Sequence, residues 1–125
     1  MRVTTQMLET FVGGQMLVFN FQEGYMYRGE IESVTMDGER LEVRFTWLAI
    51  GEGMPENPKR WAKARELNLI FDLPNYITRV HGPGQKGQGR VQIGSMISGD
   101  QITFFPPEET DRLSPTRVEG LELVV

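Results

Sequence analysis

The chain has no cysteine and one histidine, His81. Without thiols it forms neither disulfides nor thiolate metal centres, and a zinc site would have to be built on carboxylates. No apolar run approaches the roughly 18 residues of a membrane-spanning helix. Thr4, Thr5, Gln6 and Glu9 interrupt any signal-peptide core. The sequence offers no internal repeat, no nucleophile beside a base and no phosphate-binding GxxxxGK[ST] run. These absences predict a cytoplasmic protein that is not an enzyme and needs no metal, cofactor or membrane.

What is present suits one globular domain over residues 1–125. Of the residues, 39% are hydrophobic and 24% charged, enough to bury a core. The net charge of −4 is unevenly spread. Between Asn57 and Gly99 seven cations (Lys59, Arg60, Lys63, Arg65, Arg79, Lys86 and Arg90) face two acids, Glu66 and Asp72. The rest of the chain is correspondingly acidic. Such asymmetry either marks a surface for an anionic partner or places a basic segment beside acidic strands of the same chain or of a neighbouring copy.

The apolar spacing predicts a helix over Thr4–Val12, capped by Thr4 or Thr5 and ended by Gly13-Gly14. Strands follow at Met16–Gln22, Tyr25–Met36 and Glu39–Leu48, with Asp37-Gly38 as a hairpin turn. In the third strand Leu41, Val43, Phe45 and Trp47 are expected on one face. Glycine at position 29 lets the second strand bend or another backbone approach. One or two helical turns are predicted over Pro58–Glu66. Strands are predicted again at Leu67–Leu73, Tyr76–His81, Arg90–Ile97, Gln101–Phe105 and Val118–Val125. Residues 82–89 read as a glycine-rich loop.

This order resembles the Sm-like (LSm) family. The resemblance is carried by Tyr27-Arg28-Gly29-Glu30-Ile31, within Met16–Val43, and by Met96-Ile97-Ser98-Gly99-Asp100-Gln101-Ile102. It implies a short helix on a strongly bent, small antiparallel barrel of the Sm-like or SH3-like kind. It also implies a homo-oligomeric ring joined through strand edges, and single-stranded RNA bound by loops at Asp37, Gly38, Ser98, Gly99 and Asp100. The chain places Arg40 where the family has asparagine, and Ser98 where it has a cation. An elaborated segment, about 49–92, replaces a shorter connection.

The residues themselves offer further sites. Lys59-Arg60-Trp61-Ala62-Lys63-Ala64-Arg65 mixes cations that neutralise phosphate with an indole that stacks on bases. The same composition also suits a solvated helix anchored by Trp61, the commoner setting for a lone tryptophan. Lys86 and Arg90 flank exposed glycines that phosphates can approach, or belong to a mobile hairpin tip. Arg79 and His81 share strand parity, as ligand contacts or as surface residues. Glu30, Glu32, Glu39 and Glu42 form either an acid cluster or a solvated sheet face. Tyr25, Tyr27, Phe19, Phe21, Phe45 and Trp47 form either an aromatic cage, as in Tudor-type barrels, or core. Phe104 and Phe105 point to opposite strand faces, so one of them needs cover from another element or a partner. The first functional expectation is a non-catalytic Sm-like oligomer binding RNA through Arg40, Lys59, Arg60, Lys63, Arg65, Lys86 and Arg90, with stacking by Trp61 or Tyr76. The alternatives are an SH3/Tudor-like module for a protein or peptide partner, and a purely self-associating component.

Overall fold

The computed structural model describes residues 4–20, 22–54, 57–73, 76–80, 89–95 and 99–121, with the backbone alone at 57 and 76–80. Helix α1, Thr5–Glu9, begins where Thr4 Oγ1 accepts the Met7 amide at 3.2 Å. It is shorter than the apolar spacing predicts, because the following backbone is recruited by the sheet. Gly13 N–H donates to the Ile31 carbonyl and Ile31 N–H to that of Gly14, both at 2.9 Å. Leu8 and Phe11 are buried all the same, as their helical spacing requires.

Three antiparallel strands form the centre: β1 Gln15–Asn20, β2 Tyr25–Asp37 and β3 Arg40–Met54. The predicted meander is therefore present. Its second turn works because Gly38 takes φ +63°, a region closed to most side chains. Gly29 serves a close approach: a Cβ there would fall 2.5 Å from the Trp47 carbonyl oxygen. Just beyond it the β2–β3 register slips twice, between Glu30 and Ile31 and between Ile31 and Ser33. Thr46 is the unpaired residue of the first slip and Glu32 of the second. Each bulge re-aims the side chains that follow it. Leu41, Val43 and Phe45 thus enter one core, while Trp47 enters the other. The uniform face expected for these four residues is broken by Thr46.

The segment after β3 departs most from expectation. Residues read as helical turns form strand β4, Asn57–Lys63, antiparallel to the second half of β3. Tertiary packing overrides local propensity here: Trp61 lies opposite Gly51, whose missing side chain leaves room for the indole. The chain leaves the β3 edge at Ala64, whose N–H donates to Leu48 O. It returns at Leu67, whose carbonyl accepts from Phe45 N, and β5, Asn68–Asp72, pairs with the first half of β3. Strands β6 (Tyr76–Val80), β7 (Val91–Ser95) and β8 (Asp100–Phe105) follow, and the two-residue β9, Val118–Glu119, runs parallel to β4. Among the described residues the last strand ends at Glu119, and Gly120 and Leu121 do not continue it. Leu123 and Val125 lie outside the described residues, as do Phe21, His81, Lys86 and Ser98.

The strand order is β6-β7-β8-β1-β2-β3-β4-β9, with β5 on β3 beside β4. The fold is mainly β, as predicted. Among the described residues the two ends of the sheet do not pair, so the sheet is open. It nevertheless curls, since one apolar cluster joins Phe71 of β5 to Ile93 of β7 and Phe104 of β8. This first core also takes Leu8, Phe11, Met16, Val18, Ile31 and Phe45. Each such fully buried side chain contributes about 1.5–3 kcal/mol relative to exposure. Tyr25 and Tyr27, both partly buried, pack against it, and their two rings meet edge to face with centroids 5.4 Å apart. The opposite face carries a second, smaller core of Met26, Trp47, Ala49, Trp61, Leu113 and Val118. Among the described residues no helix is long and apolar enough to cross a membrane.

Candidate functional site

Strand alternation sends Leu17, Arg28, Thr103, Phe105 and Gln92 to the second face of the sheet. The strand-free stretch after β8 folds back over that face. Gln15, 1% exposed, holds it there. Its Nε2 donates to the Leu113 carbonyl and its Oε1 accepts the Leu113 amide, both at 2.8 Å. A recess of about 630 Å³ remains beside this clamp, lined by Arg28, Arg90, Arg112, Arg117 and Asp111 among others. Trp61, Phe105 and Leu113 form its apolar floor.

The arginines are fixed to different degrees. Arg28 is buried; its Nε donates to Gln15 Oε1 at 3.0 Å and its Nη2 to the Asp111 carbonyl. Burial pushes its pKa below the usual arginine value. The Asp111 charge opposes that shift, and Arg90 and Arg112 add to it. Arg90 donates to Glu109 Oε1 at 2.7 Å, and that bond is the main reason the Glu109 carboxyl sits below the usual range. The two guanidinium carbons lie 4.3 Å (Arg28) and 4.6 Å (Arg90) from the centroid of one Phe105 ring. Cations over an aromatic face are attracted by its quadrupole, which lets two like charges share this space. Arg90 Nε is buried and has no hydrogen-bond partner. A buried donor left unmade is costly. Arg112 is tied to the carbonyls of Pro107 and Gly13.

Of the residues expected from the sequence to contact nucleic acid, Arg90 and Trp61 line this recess. Trp61 is 5% exposed, so it has no free face on which a base could stack. Phe105 likewise is buried, its cover supplied by the chain's own arginines. Lys59, Lys63 and Arg65 are exposed. Arg60 and Lys63 do not share a face, because β4 is a strand and not the solvated helix expected, and a strand puts positions 60 and 63 on opposite sides. Arg60 is already engaged by Glu119 through Nε at 3.0 Å and Nη2 at 2.6 Å. Arg40 opens β3, opposite Asp37 on one side and Asp72 on the other.

The Sm-like loop positions divide. Asp37 and Gly38 are exposed at the hairpin tip. Asp100 is buried and structurally occupied: it accepts from Asn20 Nδ2 at 2.8 Å and from the Tyr25 hydroxyl at 2.6 Å. Lys86 and Ser98 lie outside the described residues. Glu32, Glu39 and Glu42 face solvent, whereas Glu30 stands 3.9 Å from Arg112. Among the described residues no three metal-ligating side chains stand together.

Sequence reasoning missed Arg28, Asp111, Arg112 and Arg117. For Arg28 a signal was present: it alternates with Met26, which places a cation on an apolar strand face. Comparison with protein-family models, with curated proteins and with solved structures returned no match.

Proposed function

We propose that the protein is a non-catalytic binding module that holds the phosphate backbone of a single-stranded nucleic acid, RNA in the Sm-like reading, at the arginine recess. The observation that carries this reading is the convergence of Arg28, Arg90 and Arg117 on one cavity, with the buried Arg90 Nε lacking a partner. Guanidinium groups match the geometry of phosphate oxygens better than ammonium groups do. The buried Trp61 and Phe105 rings leave charge neutralisation, not stacking, as the source of affinity. Binding is therefore sequence-tolerant and salt-dependent.

Three engaged arginines give a slope of about −2 for log K against log salt on a single strand. The test is fluorescence anisotropy with a labelled oligouridylate across a salt series. Arg90→Gln with Arg117→Gln should weaken binding and flatten the slope by about 1.4. Lys63→Glu with Arg65→Glu, on the exposed basic stretch, should do so less. The reverse ranking would move the site to β4.

A self-associating ring is the second reading. It is favoured by the open sheet, whose terminal strands β6 and β9 each have one unpaired edge among the described pairings. Strand addition from a second copy would satisfy such edges and bring the curled sheet to the barrel that the Sm-like resemblance implies. Mass in solution tests this: a ring gives a closed oligomer, and a monomer at all concentrations would exclude it. An SH3/Tudor-like cage has less support, since Tyr25, Tyr27, Phe45 and Trp47 are committed to the cores. A cytoplasmic setting accords with the absence of cysteine.

A further inference from the structure

We propose that Asp111 is a built-in competitor for the recess, its carboxylate standing where a phosphodiester oxyanion binds. This rests on the anion-binding reading above and adds how the site is kept filled when empty of ligand. Asp111 reaches both central arginines with separate oxygens: Oδ1 lies 3.9 Å from Arg28 Nη1 and Oδ2 lies 3.6 Å from Arg90 Nη2. Both separations are ion-pair distances, longer than the 2.7–2.9 Å of a charge-assisted hydrogen bond. The carboxylate neutralises the pair without satisfying its donors, and Arg90 Nε stays unmade.

The attachment is divided in a useful way. The Asp111 main chain is fixed, since its carbonyl accepts from Arg28 Nη2 and the Leu113 amide two residues on is clamped by Gln15. The Asp111 side chain is 63% exposed. It can therefore rotate into solvent about its own χ1 while the loop stays in place. Glu109 differs: its bond to Arg90 is short, at 2.7 Å, and its side chain is only 14% exposed, so it remains as the anchor that orients Arg90. An incoming phosphodiester shares one negative charge over two non-bridging oxygens, as the carboxylate does, but it has no tether to the loop and can approach Arg28 and Arg90 together to hydrogen-bond distance. The exchange swaps a poorly bonded carboxylate for a better-bonded anion. It also sets a threshold, because a weak or singly contacting anion gains too little to displace Asp111.

Removing the competitor should tighten binding. Asp111→Asn keeps shape and main chain but deletes the charge, and Asp111→Ala is the second variant in case the amide re-forms the contacts. Thermal unfolding checks that both fold. Binding of a labelled oligouridylate is compared with wild type and with Glu9→Gln, which removes the same net charge from the exposed end of α1. At 4 Å an interaction between unit charges near a surface is large enough that roughly a tenfold gain is expected for the Asp111 variants, with under about twofold for Glu9→Gln. If the Asp111 variants bind no tighter than Glu9→Gln while Arg90→Gln with Arg117→Gln weakens binding, the competitor role is wrong and the recess stands as the site. If neither wild type nor any Asp111 variant binds the oligouridylate, the nucleic-acid reading falls and the competitor role falls with it.

Discussion

Trp61 lies directly against the bare Cα of Gly51. A Cβ at that position would come within 2.6 Å of Trp61 Cζ3 and 2.7 Å of the Met26 terminal methyl. Strand β4 is thus held to β3 by a bulky ring fitted over a residue with no side chain. Gly51→Ala should overpack the second core and destabilise the protein by about 1–3 kcal/mol. Urea unfolding followed by tryptophan emission measures this, and an unchanged midpoint would mean that the ring is not seated there.

Tyr25 and Asp100 join β2 to β8 across β1. Burial, then the hydrogen bond and charge of Asp100, raise the Tyr25 pKa well above the ordinary phenol value. A raised folded pKa means the folded state keeps its proton after the unfolded state has lost it. This contribution is complete below about pH 10, the unfolded value, and declines as pH rises above it. Tyr25→Phe should cost about 1–2 kcal/mol at neutral pH. Its stability should then fall less than that of wild type between neutral and strongly alkaline pH, as read by denaturation at several pH values.

Glu109 gives the opposite limb. Its folded pKa is depressed, first by the hydrogen bond from Arg90. The stabilisation is full above the unfolded glutamate value of about 4.3 and is lost as pH falls through the lower folded value. Glu109→Gln should lower the melting temperature at pH 7, and the difference from wild type should close in acid. A gap that persists at low pH would show that packing, and not charge, makes Glu109 matter.

The Gln15 clamp should be the least replaceable polar contact. Gln15→Leu leaves the Leu113 amide and carbonyl and the Arg28 Nε without their partner. Buried donors without partners cost about 1–3 kcal/mol each, so a loss of about 2–4 kcal/mol is expected. Hydrogen exchange at the Leu113 amide should rise more than exchange in the β1–β2 ladder. Uniform acceleration would mean that the segment after β8 is not a separate flap held by this residue.

Local pattern made the meander legible. Alternation set β1 to β3, and Asp37-Gly38 announced its own turn. Phe104 and Phe105 announced two covered faces, and two cores exist. The rest depended on contacts far apart in sequence. Nothing near Trp61 reveals Gly51, ten residues earlier, so Pro58–Glu66 looked helical. Thr46 carries no mark of a bulge, yet it moves Trp47 to the other core. The recess was harder still, because Arg28 on β2 and Arg90 just before β7 stand two strands apart across β1 and β8, and meet Asp111 only once the stretch after β8 folds over that face. Charge counting pointed to Lys59–Arg65, the densest cations in sequence, while folding gathered sparser ones.

The most direct test of the recess follows the Arg90 Nε–H resonance by NMR during titration with oligouridylate. The unliganded signal belongs to a buried donor without an acceptor. The account predicts that it shifts early and gains protection from exchange, together with Arg28, while the side chains of Lys59, Lys63 and Arg65 change little. Saturable binding that moves the β4 cations and leaves Arg90 Nε–H in place would contradict it.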